Sequence, residues 1–251
     1  MKNLSEISSK ELVGLDAYNE APYWPSKGLR GNVAVHEAGH AAAIYLGNKR
    51  KGLPPVYFQV SILPQVGDTL SNKYLLNFGS AFMAEVDGGR LIQTLPSSFK
   101  EATLDFSPEQ KLAYKRAFEA DMVNLLVGPL AEAKYIAHND GEVFNSLLVN
   151  LTALHYYGGC HDLANFFSYL DCYLENGALR EEKITELYLE AFNFVIGRSN
   201  WHAITALAHY LAGSDQPIIE CNEIIAVLKK ANSAYASARS GECSPPVACV
   251  I

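Results

Sequence analysis

The chain has 251 residues, of which 49% are apolar and 19% are charged, a balance typical of a globular protein with a buried core and not of a disordered chain. Its formal net charge is -7 and its sequence pI ≈ 5.5, so its field repels phosphate backbones and anionic lipid headgroups and argues against a nucleic-acid partner. Its apolar stretches fall short of the roughly 20 residues that a bilayer span requires, so we expect a soluble protein without membrane insertion.

The first part of the chain is predicted to hold an arm, one helix and a small sheet. Residues 1–30 contain several prolines and glycines and are predicted to form an N-terminal arm. Val33–Leu46 consists largely of good helix formers, including three consecutive alanines, and predicts a helix. Val56–Ile62 is rich in β-branched and aromatic residues and predicts a strand, with a shorter strand over Tyr74–Phe78. The rest of 64–107 has scattered glycines and is predicted to be loop and short strands.

Helical patterns dominate the chain from Ser107 onward. Ser107 precedes a proline at the first helical position, and the helix that follows is predicted to be interrupted at Gly128–Pro129. Residues 239–251 are predicted to form a flexible tail. The sequence therefore predicts a mainly α fold (α+β) with a small β-sheet, in one domain of residues 31–238. Further helices are predicted over Pro129–Ala137, Glu142–Tyr156, His161–Asn176, Arg180–Gly197, Asn200–Leu211 and Cys221–Ser237.

The cysteines and the first residues bear on the compartment. The chain has 5 cysteines and no Cys-x-x-Cys pair, a pattern that indicates free thiols in a reducing compartment. The first ten residues are polar and lack the apolar run of a signal peptide. We therefore expect a cytoplasmic protein.

The decisive motif is His36-Glu37-Ala38-Gly39-His40, inside the first predicted helix. Residues four apart on a helix lie one turn above each other, so both imidazoles can bind one metal ion. A zinc ion lowers the pKa of a water that it binds to about 7, and a neighbouring carboxylate can then take the proton. The motif predicts zinc bound by His36 and His40, with Glu37 as general base for peptide hydrolysis. The alternative is an alanine-rich packed helix that merely carries two histidines.

A catalytic zinc ion normally has a third protein ligand, which this motif does not supply. An extended motif would place a third histidine six residues after the second, but Leu46 occupies that position. The third ligand must therefore come from farther along the chain, and spacing alone does not choose it. Candidates by residue type are Glu85, Glu132, His155, His161 and Asp162.

Four stretches of the sequence resemble motifs of the FtsH family of ATP-dependent zinc metalloproteases. Gly31–Gly47, with Val-His-Glu-Ala-Gly-His-Ala, looks like the zinc helix of that family. Gly128–Ala133 is similar to its second motif, a glycine followed by Ala-Glu on a helix, and Gly158–Leu163 resembles its third, a turn of small residues into a helix. Asn200–Leu211, followed by Ile224–Leu228, resembles its closing helical hairpin. All four occur in the order of the family.

The resemblance implies a fold and a ligand set. It implies a zincin-like, mostly helical FtsH-like metallopeptidase domain over residues 31–238, with Asp162 as the third zinc ligand. It also implies that an edge strand near Val56–Ile62 holds the substrate by strand addition. Two alternatives remain for Asp162: it is an acid favoured by the dipole of its helix, or His161 beside it is the ligand. Glu132 either orients a zinc-binding histidine through a hydrogen bond or is an exposed surface residue.

The sequence also departs from that family. It has no Gly-x-x-x-x-Gly-Lys-Ser/Thr loop for nucleotide phosphates, Pro129 stands where the second motif usually has arginine, and Ala133 replaces an acid. We therefore expect an ATP-independent zinc metallopeptidase that acts on peptides or unfolded protein segments, with a separate ATPase as a candidate partner. The alternative is a non-catalytic, zinc-stabilised binding or regulatory protein that retains the peptidase fold.

Overall fold

Helices make up most of the fold, and a small antiparallel sheet lies beside the first of them. The structure, a computed structural model, describes residues 29–63, 83–174 and 178–241. The predicted mainly α fold with a small sheet is confirmed. The strands are β1 (Phe58–Leu63), β2 (Met83–Gly88) and β3 (Ile218–Ile219). The helices are α1 (Leu29–Ala42), α2 (Asn48–Arg50), α3 (Phe99–Ala102), α4 (Pro108–Asn139), α5 (Cys160–Tyr173), α6 (Ala178–Ile196), α7 (Arg198–Gly213) and α8 (Cys221–Gly241).

Helix α1 lies in the core and packs against both α4 and α7. Its buried face consists largely of small residues such as Ala38, which allow neighbouring helices to approach closely. A Cβ atom added at Gly39 would lie 2.9 Å from the Cβ atom of Ala131 and 3.0 Å from the carbonyl oxygen of Val127. The backbones of α1 and α4 are therefore almost in contact, and residues on their facing sides meet across a short gap.

The first helix extends beyond its predicted bounds. It begins at Leu29, before the predicted start at Val33, and a π-helical turn over Ala43–Gly47 joins its end to α2. The N–H group of Asn48 closes this wide turn on the carbonyl oxygen of Ala43. Asn48 is buried, and its side-chain oxygen accepts a hydrogen bond from Nδ2 of Asn124 at 3.4 Å. The end of the first helix is thus tied to α4.

Helix α4 is continuous across the predicted interruption. Its start is as predicted, because the hydroxyl oxygen of Ser107 accepts from the N–H group of Gln110 and the side chain of Gln110 accepts from the N–H group of Ser107. The predicted break at Gly128–Pro129 is wrong. A proline inside a helix costs about 3 kcal/mol. Leu126 and Leu130, which flank it, are both fully buried, and packing of this kind along both halves of the helix outweighs that cost.

The predicted helix over Glu142–Tyr156 is also wrong, because the segment forms turns that end in a 3-10 turn at Thr152–Tyr156. The side-chain oxygen of Asn145 accepts hydrogen bonds from the N–H groups of Leu147 and Leu148. Such bonds compete with helical backbone bonds. Leu147 and Leu148 are 89% and 68% exposed, so a helix there would gain little apolar burial.

The sheet has the strand order β2-β1-β3, and both pairs are antiparallel. β1 pairs with β2 from Phe58 opposite Gly88 to Leu63 opposite Met83, and with β3 over two residues. The predicted strand Val56–Ile62 is confirmed as β1. Its predicted position at the edge is wrong, because β3, which lies far along the chain, pairs with the side of β1 opposite to β2. Among the strands of the described residues, β2 lies at the edge of the sheet beside α1.

The other predicted elements agree with the structure to different degrees. The last four predicted helices correspond to α5, α6, α7 and α8 with shifted ends. β2 and the short α3 lie inside the segment 64–107, where α3 was not predicted, and the predicted strand Tyr74–Phe78 lies outside the described residues. Helical structure extends from Leu29 to Gly241, slightly past the predicted domain bounds of 31–238.

Three of the cysteines lie in the described part of the chain. Cys160, Cys172 and Cys221 carry free thiols. The other two, Cys243 and Cys249, lie outside the described residues. Within the described ranges, no helix combines the length and the apolar character that crossing a membrane requires.

Candidate metal centre

Helix α1 presents His36 and His40 one turn apart, and each ring is fixed through its Nδ1 atom. Nδ1 of His36 lies 2.9 Å from Oε2 of Glu132, and Nδ1 of His40 lies 2.8 Å from the carbonyl oxygen of Asn124. Both partners belong to α4 and both are acceptors, so each Nδ1 carries a proton. In the neutral rings the Nε2 atoms then have a free lone pair, which is the form of histidine that binds metal.

Helix α5 brings Asp162 to the same point. The chain turns at Gly158-Gly159, with Gly158 at φ +70°, and Asp162 follows in the first turn of α5. Its Oδ2 lies 3.1 Å from Nε2 of His36, and its Oδ1 lies 3.3 Å from Nε2 of His40. Among the described residues, these three side chains form the group of potential ligands whose atoms all lie within 4.8 Å of one another.

The chemistry of these three donors fits a metal ion. Two imidazole nitrogens and a carboxylate are typical zinc ligands, and a tetrahedral ion with bonds of about 2.0–2.1 Å separates its ligand atoms by about 3.3 Å. The observed separations are close to that value, but each involves a different oxygen of Asp162: 3.1 Å from Oδ2 to Nε2 of His36 and 3.3 Å from Oδ1 to Nε2 of His40. Three acceptors this close repel one another unless a positive charge lies between them. Either protons on the imidazoles or a metal ion can supply it.

The surrounding electrostatics favour that positive charge. Burial alone would lower the pKa of His36, but hydrogen bonds to Asp162 and Glu132 outweigh it and raise the pKa to about 10. Burial alone would likewise lower the pKa of His40, and the charge of Asp162 raises it. For Asp162, burial opposes ionisation, but the charge of His40 and hydrogen bonds to both rings hold its pKa well below the usual range. The buried carboxylates therefore favour positive charge on or between the two imidazoles.

Glu37 lies beside this group and does not belong to it. Its Oε2 accepts a hydrogen bond of 2.9 Å from the N–H group of Val86, on the edge strand β2. Burial raises the pKa of Glu37, against the opposing effect of the two histidines. The carboxylate is thus held next to the candidate metal position, with a stronger affinity for a proton than an exposed glutamate has.

Two glycines leave the space that the histidine rings occupy. A Cβ atom added at Gly128 would lie 2.2 Å from Nε2 of His40. A Cβ atom added at Gly158 would lie 2.9 Å from Oε2 of Glu132 and 3.0 Å from Nδ1 of His36. Both glycines lie in the stretches that carry the resemblance described above. Their physical role here is to let α4 and the turn before α5 approach the rings without contact to a side chain.

A cavity of about 510 Å³ opens in front of these groups. Its walls include His36, Glu37, His40 and Asp162, together with β2 from Met83 to Val86. Beyond the candidate metal position the cavity extends past the side chains of α1 and α4 to the loop that follows β2. The candidate metal ligands therefore lie at a cavity wall and not in a closed core.

The structure separates the candidates for a third ligand. Asp162 lies with the two histidines, whereas Glu85, His155 and His161 are outside that group and exposed. His161 lines the cavity. Glu132 is buried and bonded to His36, so the alternative that it is an exposed surface residue is wrong.

Sequence reasoning missed several groups near the site. Asn124 acts through its backbone carbonyl, which leaves no signal in a side-chain pattern. Asp121 gives a signal that could have been used, because it is an acid within an apolar helical stretch. In the structure its exposed fraction is 3%. Such a residue needs hydrogen-bond partners inside the protein. Arg90, at the far end of the cavity, follows two glycines in a segment that was predicted only as loop and short strands.

Comparison with known proteins gave no match to a family model, to a curated protein or to a solved structure. The resemblance to the FtsH family thus depends on the sequence motifs alone. The geometry of the described side chains carries the functional argument.

Proposed function

We propose that the protein is a zinc-dependent metallopeptidase with a zincin-like, FtsH-like peptidase domain. The observation that carries this proposal is the meeting of His36 Nε2, His40 Nε2 and the Asp162 carboxylate at a cavity wall, with Glu37 beside them and outside the ligand group. Two histidines and one carboxylate with an open fourth position are the ligand set of many hydrolytic zinc sites, whereas structural sites usually close around the metal with four protein ligands.

The roles of the residues follow from their contacts. When bound there, zinc would polarise the scissile carbonyl and acidify a water molecule. Glu37 would take a proton from the attacking water and deliver it to the leaving amine. Burial raises the pKa of Glu37, which strengthens the carboxylate as an acceptor for the proton of the water. Glu132 and the carbonyl oxygen of Asn124 hold the imidazoles in the orientation and tautomer that binding needs.

The edge strand β2 supports a peptide as substrate. The N–H group of Val86 points to Glu37 and away from β1, and backbone groups of alternate residues in an antiparallel strand share one direction. Those of Ala84 therefore face the same side, where no strand of the described residues pairs with β2. An extended peptide can add to this edge as a further strand, which would align its backbone along the cavity. Folded proteins present few such segments, so we propose peptides and unfolded protein segments as substrates.

The test is hydrolysis by the Glu37→Gln variant. We expect it to bind one equivalent of zinc with the affinity of the wild type, because Glu37 is not a ligand, and to lose at least about 100-fold in kcat on a fluorogenic peptide or casein. Glu182→Gln, at an exposed position of α6, is the matched control and should keep full activity. Substantial hydrolysis by Glu37→Gln would contradict the proposed role.

Metal removal separates the proposal from its alternative. A chelator should abolish hydrolysis, and added zinc should restore it. If zinc instead binds and raises the unfolding temperature while no peptide or unfolded protein is cleaved, with or without a separate ATPase, the chain is a zinc-stabilised binding or regulatory protein and the peptidase proposal fails.

A further inference from the structure

A single arginine lies at the far end of the cavity. Arg90 follows β2 directly after Gly88 and Gly89, which have φ values of +84° and +77° and turn the chain sharply. Gly89 contacts Ile44, which lies one helical turn beyond His40. Arg90 is exposed, and it lines the same cavity as the candidate metal centre. The cavity therefore runs from the metal position, past His40, to a guanidinium group.

The backbone on both sides of Arg90 is fixed. The N–H group of Gly89 donates to the carbonyl oxygen of Tyr57 at 2.9 Å. On the other side, the carboxylate of Asp121 accepts from the N–H groups of Leu91 and Ile92 at 2.9 Å and 2.8 Å. A loop held from both ends keeps the Cα atom of Arg90 in a defined position, which lowers the backbone entropy lost when its side chain binds a ligand.

The side chain of Arg90 is nevertheless free to bind. Among the described residues it has no ion pair or hydrogen bond with a side chain. Burial raises the pKa of Asp121 and the charge of Arg90 opposes that effect, but the Asp121 oxygens bond to the N–H groups of Leu91 and Ile92 and to the hydroxyl of Tyr169 and not to the guanidinium. An arginine with a fixed backbone and an unused planar fork of donors is a typical carboxylate-binding group.

The described charged side chains around the cavity are mostly acidic, and Arg90 is the exception. Among the described residues that line the cavity, Arg90 is the one lysine or arginine. Apart from the imidazoles, the other charged side chains are the acids Glu37, Glu85, Asp121 and Asp162. Away from the candidate metal position, a carboxylate on a bound peptide is repelled by these acids and attracted by Arg90.

We propose that Arg90 determines specificity by binding a carboxylate of the substrate, either an Asp or Glu side chain or the C-terminal carboxylate, within about four residues of the scissile bond. Val86, which bonds to Glu37, lies four positions before Arg90, and an extended chain advances about 3.3 Å per residue. The turn at Gly88 and Gly89 shortens the path, so the two Cα atoms lie within about 13 Å of each other, the span of about four residues of an extended peptide. The inference depends on the proposed peptidase function only in calling the bound peptide a substrate.

Peptide binding to the zinc-loaded Glu37→Gln protein tests the proposal without turnover. The probes are fluorescein-labelled nonapeptides of Ala, Ser and Leu in which one position at a time carries Glu or Gln, with an amidated or a free C-terminus. We expect Glu to lower Kd about tenfold relative to Gln at one position, with a smaller gain at high salt. A gain from an internal Glu identifies a side-chain carboxylate, and a gain from the free terminus identifies the C-terminal carboxylate.

Variants of Arg90 complete the test. In the same background, Arg90→Gln should bring the ratio of the Glu and Gln affinities to about one, and Arg90→Glu should make a Lys peptide bind better than the Glu peptide. Arg116→Gln, at an exposed arginine outside the cavity, should keep the preference. No binding of any peptide, no position with a preference for Glu, or a preference that persists in Arg90→Gln would overturn the proposal.

Hydrolysis assays on the protein with Glu37 intact distinguish a failure of the proposed Arg90 role from a failure of the proposed peptidase function. If peptides bind with an Arg90-dependent preference for a carboxylate but are not cleaved, the specificity role holds and the peptidase function fails. If peptides are cleaved by a chelator-sensitive activity with equal kcat/KM for Glu and Gln at every position, the peptidase function holds and the role of Arg90 fails.

Discussion

Replacing Gly128 by alanine should remove zinc while leaving the protein folded. The added Cβ atom would lie 2.2 Å from Nε2 of His40, and ordinary contacts begin at 3.4 Å, so the ring must move by about 1 Å. Metal–ligand distances tolerate deviations of about 0.2 Å. The ring is the end of a side chain and can move at little cost to the backbone, but it then no longer reaches the position shared with His36 and Asp162. We expect a loss of zinc affinity of at least about 100-fold, or ~2.7 kcal/mol.

The stability of the metal-free protein should change little in this variant. Alanine is favoured over glycine inside a helix by about 1 kcal/mol, and the lost hydrogen bond from His40 to Asn124 offsets about the same amount. Gly47→Ala is the matched control, because its Cβ atom would meet Phe194 at 3.7 Å, an ordinary contact. It should keep zinc affinity unchanged. The measurements are zinc competition with a chromophoric chelator and thermal unfolding in excess chelator. Wild-type zinc affinity in folded Gly128→Ala would refute the assignment of His40 as a ligand.

Two further variants probe the surroundings of the site. Glu132→Ala should lower zinc affinity by about 10- to 100-fold, because His36 loses the acceptor that orients it, whereas Glu132→Gln keeps an acceptor oxygen and should lose less; equal losses in chelator competition would contradict this role. Burial lowers the pKa of Lys134 to about 8, although the Trp201 ring 4.1 Å away favours the charged form, whereas an unfolded lysine titrates near 10.5. Between these pH values the unfolded chain binds more protons, so the free energy of unfolding should rise with pH by up to about 1.4 kcal/mol per unit relative to Lys134→Met in urea titrations. Parallel pH profiles of the free energy of unfolding for the wild type and Lys134→Met would contradict this expectation.

The part of the site that the sequence predicted is the part that local spacing determines. His36 and His40 meet because four residues make about one helical turn, and that relation is independent of the rest of the fold. Asp162 is 126 residues from His36, so spacing could not select it from the other candidates, and the motif resemblance was needed. Val86 and Asn124 contribute through backbone groups, which leave no side-chain pattern. Asp121 is recognisable as a buried acid, but the loop that its carboxylate binds is set by tertiary packing.

The errors in the predicted fold have the same origin. Gly128–Pro129 has the local chemistry of a helix break, but burial on both sides keeps α4 intact. The glycine is needed because a side chain there would overlap the ring of His40. Glu142–Tyr156 has enough apolar residues for a helix, yet Asn145 bonds locally and the leucines find no partner surface among the described residues. The central position of β1 depends on β3, more than 150 residues later, which no local pattern reveals.

The placement of Glu37 is the strongest argument for hydrolysis over a purely structural zinc centre. Folding opposes this position, because burial raises the free energy of the ionised carboxylate and with it the pKa. A structural site would relieve that cost by using the carboxylate as a fourth ligand. Here the carboxylate instead bonds to the edge strand β2 and lines the cavity together with the three ligand candidates. Proton transfer accounts for a carboxylate that is buried beside a candidate metal position without being a ligand. The cavity in front of it is where a substrate would need that transfer.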